Sequence, residues 1–196
     1  FYDEEVGFVI KTNIASNSRI DWEYLQNKMN HILAEYKDRK CSVYLLHGDL
    51  TAGQMTGLYQ HEKIKGMINI AHGEGFGLPM FEAAREGLPI TTIGWSGQLD
   101  FLHHNDRAYF NEVNFTVQPV DQTAVWPGVI ERDAMWAAAD QSSYKMALRK
   151  AHKNYDELKK QAEELQVIVN DKFSDEKLFA GFVDQLVQES EDEVVL

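Results

Sequence analysis

A glycine-rich turn in the middle of the chain has the residue types needed to bind an anion. Residues 73–79 are Gly-Glu-Gly-Phe-Gly-Leu-Pro, so glycine stands at every second position before a proline. Glycine permits sharp bends and close approach of the backbone to a ligand, and proline fits the first turn of a helix. Because the first N–H groups of a helix lack intrahelical partners, a phosphate bound there gains hydrogen bonds and a favourable dipole. The turn is a candidate phosphate site, and a tight packing turn without a ligand has the same spacing.

Two carboxylates, Glu74 within this turn and Glu82 eight positions later, are candidate groups for binding hydroxyls. Glu82 falls about one turn into the expected helix, which lets both side chains face the same cleft. Carboxylates accept hydrogen bonds from sugar hydroxyls, often two at a time. On the residues alone, Glu74 also fits an exposed turn residue, and Glu82 also fits a solvated glutamate or a surface pair with Arg85.

The elements that must position these residues alternate between strand and helix. Short apolar runs are separated by segments with apolar residues at helical spacing. This alternation predicts an α/β fold in which a parallel sheet of about five or six strands carries helices on both faces. Ligands of such sheets bind outside the carboxyl ends of the strands, where the glycine turn falls. The predicted strands are 6–11, 42–46, 67–71 and 88–93, and the predicted helices are 20–36, 51–62 and 78–86.

Two shorter features of this region also predict secondary structure. Thr51 and Gln54 have the spacing of a capping box, which predicts that a helix begins there. Residues 98–103 are expected to form a short helix, and residues 108–120 are expected to contain one or two further strands.

The last third of the chain has a different pattern. From Glu131 to Ser190 there is no strand signal, and Gly181 is the only glycine or proline. We expect a single domain over residues 1–188, in which residues 131–188 form a helical extension. Residues 189–196 are expected to form an acidic, frayed tail. The predicted helices of the extension are 131–139, 141–171 and 175–188.

Composition argues against several classes of function. The 196 residues include 19 basic and 31 acidic side chains, a formal net charge of −12, without a basic cluster. This argues against duplex nucleic acid and anionic membranes as main partners. The longest apolar runs are far shorter than the roughly 20 residues of a membrane span. The single cysteine, Cys41, excludes an internal disulfide framework, and the seven histidines lack clear ligand spacing, so no metal is expected.

Several histidine and tryptophan residues are ambiguous between binding and packing. His72 follows a predicted strand, so it is a candidate contact to a sugar or diphosphate, and a surface histidine is the alternative. Trp95 precedes the Ser96-Gly97 loop and could line a cleft. The tryptophans expected to be packing residues are Trp22, Trp126 and Trp136.

The segment from Ile68 to Phe101 resembles the donor-binding core of retaining GT-B glycosyltransferases of the large "group 1" family. That family carries two glutamates in an E-x7-E pattern, with E-G-F-G-L-P at its start. The phrases around His47 and Trp95 resemble a phage- and marine-metagenome-like branch in particular. The matching residues are Glu74-Gly-Phe-Gly-Leu-Pro79, Glu82-Ala83, Gly87-Leu-Pro89-Ile90 and Ser96-Gly97.

The resemblance implies a Rossmann-like fold, and it covers most of this chain. It corresponds to only the second of the two domains that such enzymes possess, so we expect the N-terminal GT-B domain to be absent from this chain. Two residues depart from the family pattern. Ala71 stands where a serine is usual, and His72 stands where a small or polar residue is common.

The resemblance also implies a role for individual residues. Glu74 would lie beside the transferred sugar, in the place of a catalytic nucleophile, and Glu82 would bind the ribose hydroxyls. Lys11 and Arg19, after the first predicted strand, would neutralise the diphosphate. The loop that begins with Gly48 and Asp49 would border the base. The remaining donor-binding residues, which act mainly through backbone amides, are Gly75, Phe76, Gly77 and Leu78, with His72 beside them.

The implied function is transfer of a hexose from a nucleoside diphosphate sugar to a hydroxyl acceptor, with retention of configuration. No cofactor other than the donor substrate is implied, and the expected location is cytoplasmic. Expected partners are the nucleotide sugar, an unidentified acceptor, and the missing N-terminal domain or a second copy of the chain. The alternative is a non-catalytic binding or assembly module that keeps the half-fold and can form a dimer. A relative of sugar-nucleotide epimerases or phosphorylases is disfavoured by the E-G-F-G-L-P phrase.

Overall fold

The computed structural model describes residues 1, 3–14 and 17–192, and their side chains as far as Val187. The chain divides into two compact units, Phe1–Met55 and Thr56–Leu196, which are called the first and second unit below. The α/β class is confirmed, because parallel strands are flanked by helices and a helical stretch follows them. The single domain over residues 1–188 stays a prediction.

The first unit is built on one parallel strand pair. Strand β1 (Gly7–Thr12) pairs with β2 (Ser42–His47) in a register that runs from Gly7–Ser42 to Thr12–His47. Helix α1 (Arg19–Leu33) connects them and is followed by a 3-10 turn at Ala34–Tyr36. The Ser18 side chain caps α1 by accepting a hydrogen bond from the Asp21 N–H at 3.1 Å. These two strands and the helix lie close to the positions that the sequence predicted.

An open apolar cavity of about 200 Å³ lies between α1 and this strand pair. Its walls include Ile10 and Val43 from the strands and Leu25 and Met29 from the helix. Among the described residues of the first unit, only Gly48 is buried. The apolar face of α1 therefore points at the sheet without closing a tight core over it.

Helix α2 (Ala52–Tyr59) begins at the predicted capping box. The Gln54 N–H donates to Thr51 Oγ1 at 3.3 Å, and the Thr51 N–H donates to Gln54 Oε1 at 2.9 Å. These two reciprocal bonds satisfy N–H groups that the first turn of a helix leaves without partners. The capping-box prediction is confirmed.

The second unit contains a three-stranded parallel sheet. Strands β3 (Met67–Asn69), β4 (Ile90–Ile93) and β7 (Asn111–Val113) lie in the order β3-β4-β7. Helix α3 (Leu78–Arg85) connects β3 to β4, and the short helix α4 (Leu99–Leu102) follows β4. A two-stranded hairpin, β5 (His103–His104) with β6 (Arg107–Ala108), precedes β7. The described parallel strands thus form two sheets, β1-β2 and β3-β4-β7, and not the single sheet of five or six strands that the sequence predicted.

The predicted helix at 131–139 is wrong. Residues Met135–Ala139 form strand β9, which pairs antiparallel with β8 (Phe115–Pro119) over five residue pairs. Alanines at 137–139 favour a helix locally, because alanine has the highest helix propensity. Pairing with β8 satisfies the backbone of this segment and buries Ala137 completely, and this tertiary gain outweighs the local preference.

Three helices form the C-terminal stretch: α5 (Gln141–Lys153), α6 (Tyr155–Lys172) and α7 (Asp175–Asp192). The single helix predicted at 141–171 is therefore wrong, because the chain leaves helical geometry at Asn154 with φ −110° and ψ 35°. Asparagine favours helix ends, since its side chain competes for backbone hydrogen bonds. Helix α7 includes residues 189–192 of the predicted tail, and residues 193–196 lie outside the described part.

Helix α6 holds α3 in place. Met80 and Ala84 of α3 are fully buried in a cluster that includes Leu165 and Val169 of α6. The Gln166 side chain also donates to the Arg85 carbonyl at 2.9 Å, and Lys159 Nζ donates to the Gly87 carbonyl at 2.7 Å. These bonds satisfy carbonyls at the end of α3 that have no partner within the helix. The position of the glycine turn at the start of α3 is fixed by this packing.

Candidate functional site

The glycine turn leads into α3 with free backbone donors. Gly77 is the N-terminal cap of α3 and has a left-handed conformation, φ 84° and ψ 46°. A Cβ atom there would lie 2.9 Å from Met80 Cε and 3.2 Å from Gln98 Cβ, so only glycine fits. The Gly77 carbonyl accepts hydrogen bonds from the N–H groups of Met80 and Phe81. Among the described residues, no acceptor pairs with the N–H groups of Phe76, Gly77 or Leu78.

The side chain of Phe76 packs into a cluster of aromatic rings and so holds the turn in place. Its ring lies 5.1 Å from Phe81, 5.2 Å from Phe101 and 6.0 Å from Phe173, measured between ring centroids, in tilted or edge-to-face arrangements. Such aromatic pairs contribute about 0.5–1.5 kcal/mol each beyond their burial. The ring of Phe76 is therefore held in the aromatic cluster, and its backbone N–H has no acceptor among the described residues.

The Ser96-Gly97 loop clamps the turn. Ser96 Oγ donates to the Glu74 carbonyl at 2.7 Å and accepts from the Glu74 N–H at 3.1 Å. The Gly97 N–H donates to the same carbonyl at 3.1 Å. A Cβ atom on Gly97 would lie 1.9 Å from the Gly75 carbonyl oxygen, so the two backbones touch. The sequence analysis matched this loop to a motif but gave it no role, and the structure shows that it fixes the backbone of Glu74.

The carboxylate of Glu74 is oriented by Asn69, a residue that the sequence analysis did not single out. Asn69 Nδ2 donates to Glu74 Oε1 at 2.8 Å. The other end of the Asn69 amide accepts from the Ala71 N–H at 2.8 Å, which fixes the amide orientation. Asn69 is the last residue of β3, and Glu74 is half-buried. An asparagine at a strand end, two residues before a turn, was the available signal.

His72 is held against strand β9. Its Nδ1 lies 2.6 Å from the Ala137 carbonyl oxygen, and its ring stacks on Trp136 with a centroid distance of 3.9 Å and an interplanar angle of 10°. Since a carbonyl oxygen only accepts, this hydrogen bond assigns the proton to Nδ1 and leaves Nε2 as the acceptor in the neutral ring. Trp136 was expected to be a packing residue, and the surface that it packs against is the His72 ring.

Glu82 lies about one turn into α3 and accepts a hydrogen bond from the Tyr59 hydroxyl at 3.3 Å. Tyr59 is 8% exposed, while Glu82 is exposed to solvent. Burial, and then the charge of Glu82, raise the pKa of Tyr59 well above its ordinary value, so it remains a neutral donor. Arg85 Nε donates to Asn170 Oδ1 at 3.0 Å, and among the described residues no ion pair joins Arg85 to Glu82. The second oxygen of the Glu82 carboxylate is thus directed to no described residue.

The other four predicted residues lie in the first unit: Lys11 within β1, Arg19 at the start of α1, and Gly48 and Asp49 directly after β2. Asp49 Oδ1 and Oδ2 accept from Asn13 Nδ2 at 3.1 Å and from Asn17 Nδ2 at 2.6 Å, so this carboxylate ties the two loops together. Gly48 has φ 104°, which glycine tolerates. Arg19 is exposed and pairs with Glu23 at 2.9 Å. Lys11 is half-buried in β1.

The structure therefore gathers the predicted site residues in two groups. The group in the second unit follows β3 and includes His72, Glu74, the turn 75–78 and Glu82. The group in the first unit consists of Lys11, Arg19, Gly48 and Asp49. Across the part of the chain that the structure describes, no cluster of three or more histidine, cysteine, aspartate or glutamate residues could hold a metal ion. None of the described helices is long and apolar enough to cross a bilayer.

Comparisons with known proteins give little further information. No protein-family model matches the sequence, and no curated protein matches it. Solved structures do match, among them "Crystal structure of GtfA/B complex", with 15% sequence identity and a TM-score of 0.46. The match covers 97% of this chain and 37% of that chain, so the present chain spans little more than a third of its length. At this TM-score the likeness carries no argument about function.

Proposed function

We propose that this chain is the donor-binding half of a retaining glycosyltransferase. In that reaction a hexose moves from a nucleoside diphosphate sugar to a hydroxyl acceptor. The observation that supports the proposal most is the open start of α3, where the unpaired N–H groups of Phe76, Gly77 and Leu78 adjoin an oriented carboxylate, Glu74. Helix starts of this kind bind phosphate, and carboxylates bind sugar hydroxyls.

The diphosphate would be bound by the backbone amides at the start of α3. When the bond between the anomeric carbon and the phosphate oxygen breaks, negative charge develops on the leaving diphosphate. Fixed N–H groups and a helix dipole stabilise that charge without reorganising, and removing one such donor typically costs about 10²–10³-fold in rate. The acceptor oxygen bonds to the anomeric carbon, and its proton leaves with the diphosphate or to water.

The sugar would lie against Glu74 and His72. Asn69 already donates a hydrogen bond to Glu74 Oε1, so Oε2 is the oxygen that would accept a hydrogen bond from a sugar hydroxyl. The Nε2 of His72 is an acceptor in the tautomer that the Ala137 hydrogen bond assigns, so neutral His72 suits a hydroxyl better than a phosphate oxygen. Both groups have fixed orientations, which reduces the entropy lost on binding.

The ribose would be bound by Glu82. Tyr59 donates to Oε2, so Oε1 of the exposed carboxylate can accept from a ribose hydroxyl. The acceptor would be bound by a further domain or a second copy, and we expect this chain alone to bind donor weakly and to transfer little sugar.

The experiment that tests this function measures thermal unfolding with a panel of nucleoside diphosphates and their sugars. A ligand at about five times its dissociation constant adds about 1 kcal/mol, which shifts the melting temperature by roughly 2–4 °C for a chain of this size. We expect a shift with one base, and we expect Glu82→Gln to abolish it.

The matched control is Glu86→Gln. Glu86 follows α3 directly and accepts a hydrogen bond from Gln60 Nε2 at 2.7 Å, much as Glu82 accepts from Tyr59. Its removal should leave the ligand-induced shift unchanged. Equal losses in both variants, or no shift with any nucleotide at millimolar concentration, would contradict the proposed function.

A further inference from the structure

Two successive residues at the end of α2 donate hydrogen bonds to two carboxylates of α3 that are one helical turn apart. Tyr59, the last residue of α2, donates its hydroxyl to Glu82 Oε2 at 3.3 Å. Gln60, the next residue, donates its amide Nε2 to Glu86 Oε2 at 2.7 Å. Glu82 lies within α3 and Glu86 is its C-cap, so both bonds join the end of α2 to the same helix. The two bonds differ in one respect, because only Glu82 belongs to the proposed ribose site.

Tyr59 is a fixed hydrogen-bond donor. Its side chain is 8% exposed and lies in the core, where close packing restricts the ring. Burial, and then the negative charge of Glu82, raise the pKa of Tyr59 above its ordinary value, so the hydroxyl keeps its proton at neutral pH. Glu82, by contrast, is exposed, and among the described residues Tyr59 is the one that donates to its side chain.

This hydrogen bond divides the two oxygens of Glu82 between the protein and a ligand. A carboxylate with both oxygens free can accept from two neighbouring hydroxyls at once, and the 2′ and 3′ hydroxyls of a ribose are such a pair. With Oε2 bonded to Tyr59, Oε1 is the oxygen that has no partner among the described residues. A ribose bound here therefore donates one hydroxyl to Oε1, and the other hydroxyl gains little from Glu82.

Without Tyr59, the carboxylate would have no such restriction. An exposed glutamate side chain populates several rotamers, and the torsion at its carboxylate is broad. Both oxygens could then face the two ribose hydroxyls. The Tyr59 hydroxyl removes this freedom, because it keeps one oxygen of Glu82 directed to the protein, whichever of the two that oxygen is.

We propose that Tyr59 is a specificity-determining positioning residue, which holds Glu82 so that the site recognises one of the two ribose hydroxyls and not both. This inference rests on the proposed function, because it takes Glu82 as the ribose contact. It defines the ligand class more narrowly. The site binds a nucleoside diphosphate in which one hydroxyl, 2′ or 3′, is required and the other can be replaced by hydrogen.

The test measures dissociation constants by isothermal titration calorimetry on the full chain. The probes are ADP, GDP and UDP, followed by the 2′-deoxy and 3′-deoxy forms of the diphosphate that binds. A hydrogen bond to a charged group contributes more than a neutral one, so we expect one deoxy form to bind about tenfold or more weakly than the parent. The other deoxy form should bind nearly as tightly as the parent.

Two variants make the result specific to Tyr59. Tyr59→Phe keeps the buried ring and removes the donor, so the dissociation constants of the two deoxy forms should become similar. Gln60→Met is the matched control, because it removes the neighbouring bond to Glu86 and leaves the bond to Glu82. The difference between the two deoxy forms should persist in Gln60→Met. A loss of packing alone would weaken both forms together and would leave their ratio unchanged.

A measurement without ligand tests the positioning role itself. ¹³C relaxation of the Glu82 methylene groups reports the order of this side chain. We expect the order to fall in Tyr59→Phe and to be unchanged in Gln60→Met.

The outcomes separate this proposal from the proposed function. If none of the three nucleoside diphosphates binds at millimolar concentration, the proposed function fails, and the proposal fails with it. If a diphosphate binds and its two deoxy forms bind equally to the wild type, the proposal alone is overturned. The same holds if Tyr59→Phe keeps the wild-type ratio of the two dissociation constants, or if Gln60→Met loses it as well.

Discussion

Replacing Gly97 by alanine should disrupt the second unit at the glycine turn. The added Cβ would lie 1.9 Å from the Gly75 carbonyl oxygen, 2.7 Å from the Gly75 carbonyl carbon and 3.1 Å from the Glu74 carbonyl oxygen. All three are backbone atoms, so no flexible side chain can move aside. If the loop separates from the turn, the two hydrogen bonds between Ser96 Oγ and the Glu74 backbone are lost, together with the bond from the Gly97 N–H. At about 1 kcal/mol for each net hydrogen bond, the cost is about 3 kcal/mol, which equals the upper range for overpacking.

The assay is thermal unfolding, in which about 3 kcal/mol corresponds to a fall of roughly 6–12 °C in a chain of this size. The matched control is Gly75→Ala, two residues before Gly77 in the same motif. A Cβ atom on Gly75 would meet nothing within 4 Å, so we expect its melting temperature to stay within about 2 °C of the wild type. The reasoning is refuted if Gly97→Ala has the melting temperature of the wild type, or if the melting temperatures of both variants fall equally.

Three further predictions concern the residues that orient the site. Asn69→Ala removes the donor to Glu74 Oε1, so the affinity for the nucleotide sugar should fall by about tenfold. The affinity for the free nucleoside diphosphate should change little. An equal loss of affinity for both ligands would argue against a contact between Glu74 and the sugar. Trp136→Leu removes the ring stacked on His72, so the imidazole ¹⁵N resonances of His72 should shift toward those of mixed tautomers. Trp136→Phe should preserve the wild-type pattern. Identical spectra in the two variants would contradict a role for Trp136 in positioning His72. The pKa of Tyr59 is raised in the folded chain. The neutral Tyr59 hydroxyl therefore contributes fully to stability below about pH 10. This contribution is lost as the pH rises above that value, because Tyr59 releases its proton more readily in the unfolded chain. Tyr59→Phe should flatten the alkaline fall in the urea midpoint, and an unchanged pH dependence would count against this.

The sequence was sufficient to predict the local elements around the site. The glycine spacing, the proline after Leu78 and the glycine after Glu86 predicted a helix at 78–86, and α3 occupies Leu78–Arg85. The capping box at Thr51 likewise predicted the start of α2. These features succeed because turn and cap chemistry depends on residues within a few positions of one another.

The long-range features of the site could not be predicted in the same way. Strand β9 was expected to be helical, because its alanines favour a helix until pairing with β8 is known. That error hid the position of Trp136, which β9 places against His72. Asn69 and Ser96 were missed as supports of Glu74 for a related reason, since hydrogen bonds across a turn and between loops leave no periodic signal in sequence.

The most direct test of the proposed function follows backbone amides by ¹H–¹⁵N NMR while a nucleoside diphosphate is titrated into the chain. If the start of α3 binds the diphosphate, the resonances of Phe76, Gly77 and Leu78 shift together and saturate with one dissociation constant, because their N–H groups have no acceptor among the described residues. The Gly97 amide, already bonded to the Glu74 carbonyl, should shift far less. A titration that moves other amides while these three stay in place, or that moves none at millimolar ligand, would contradict the assignment of this turn as the donor site.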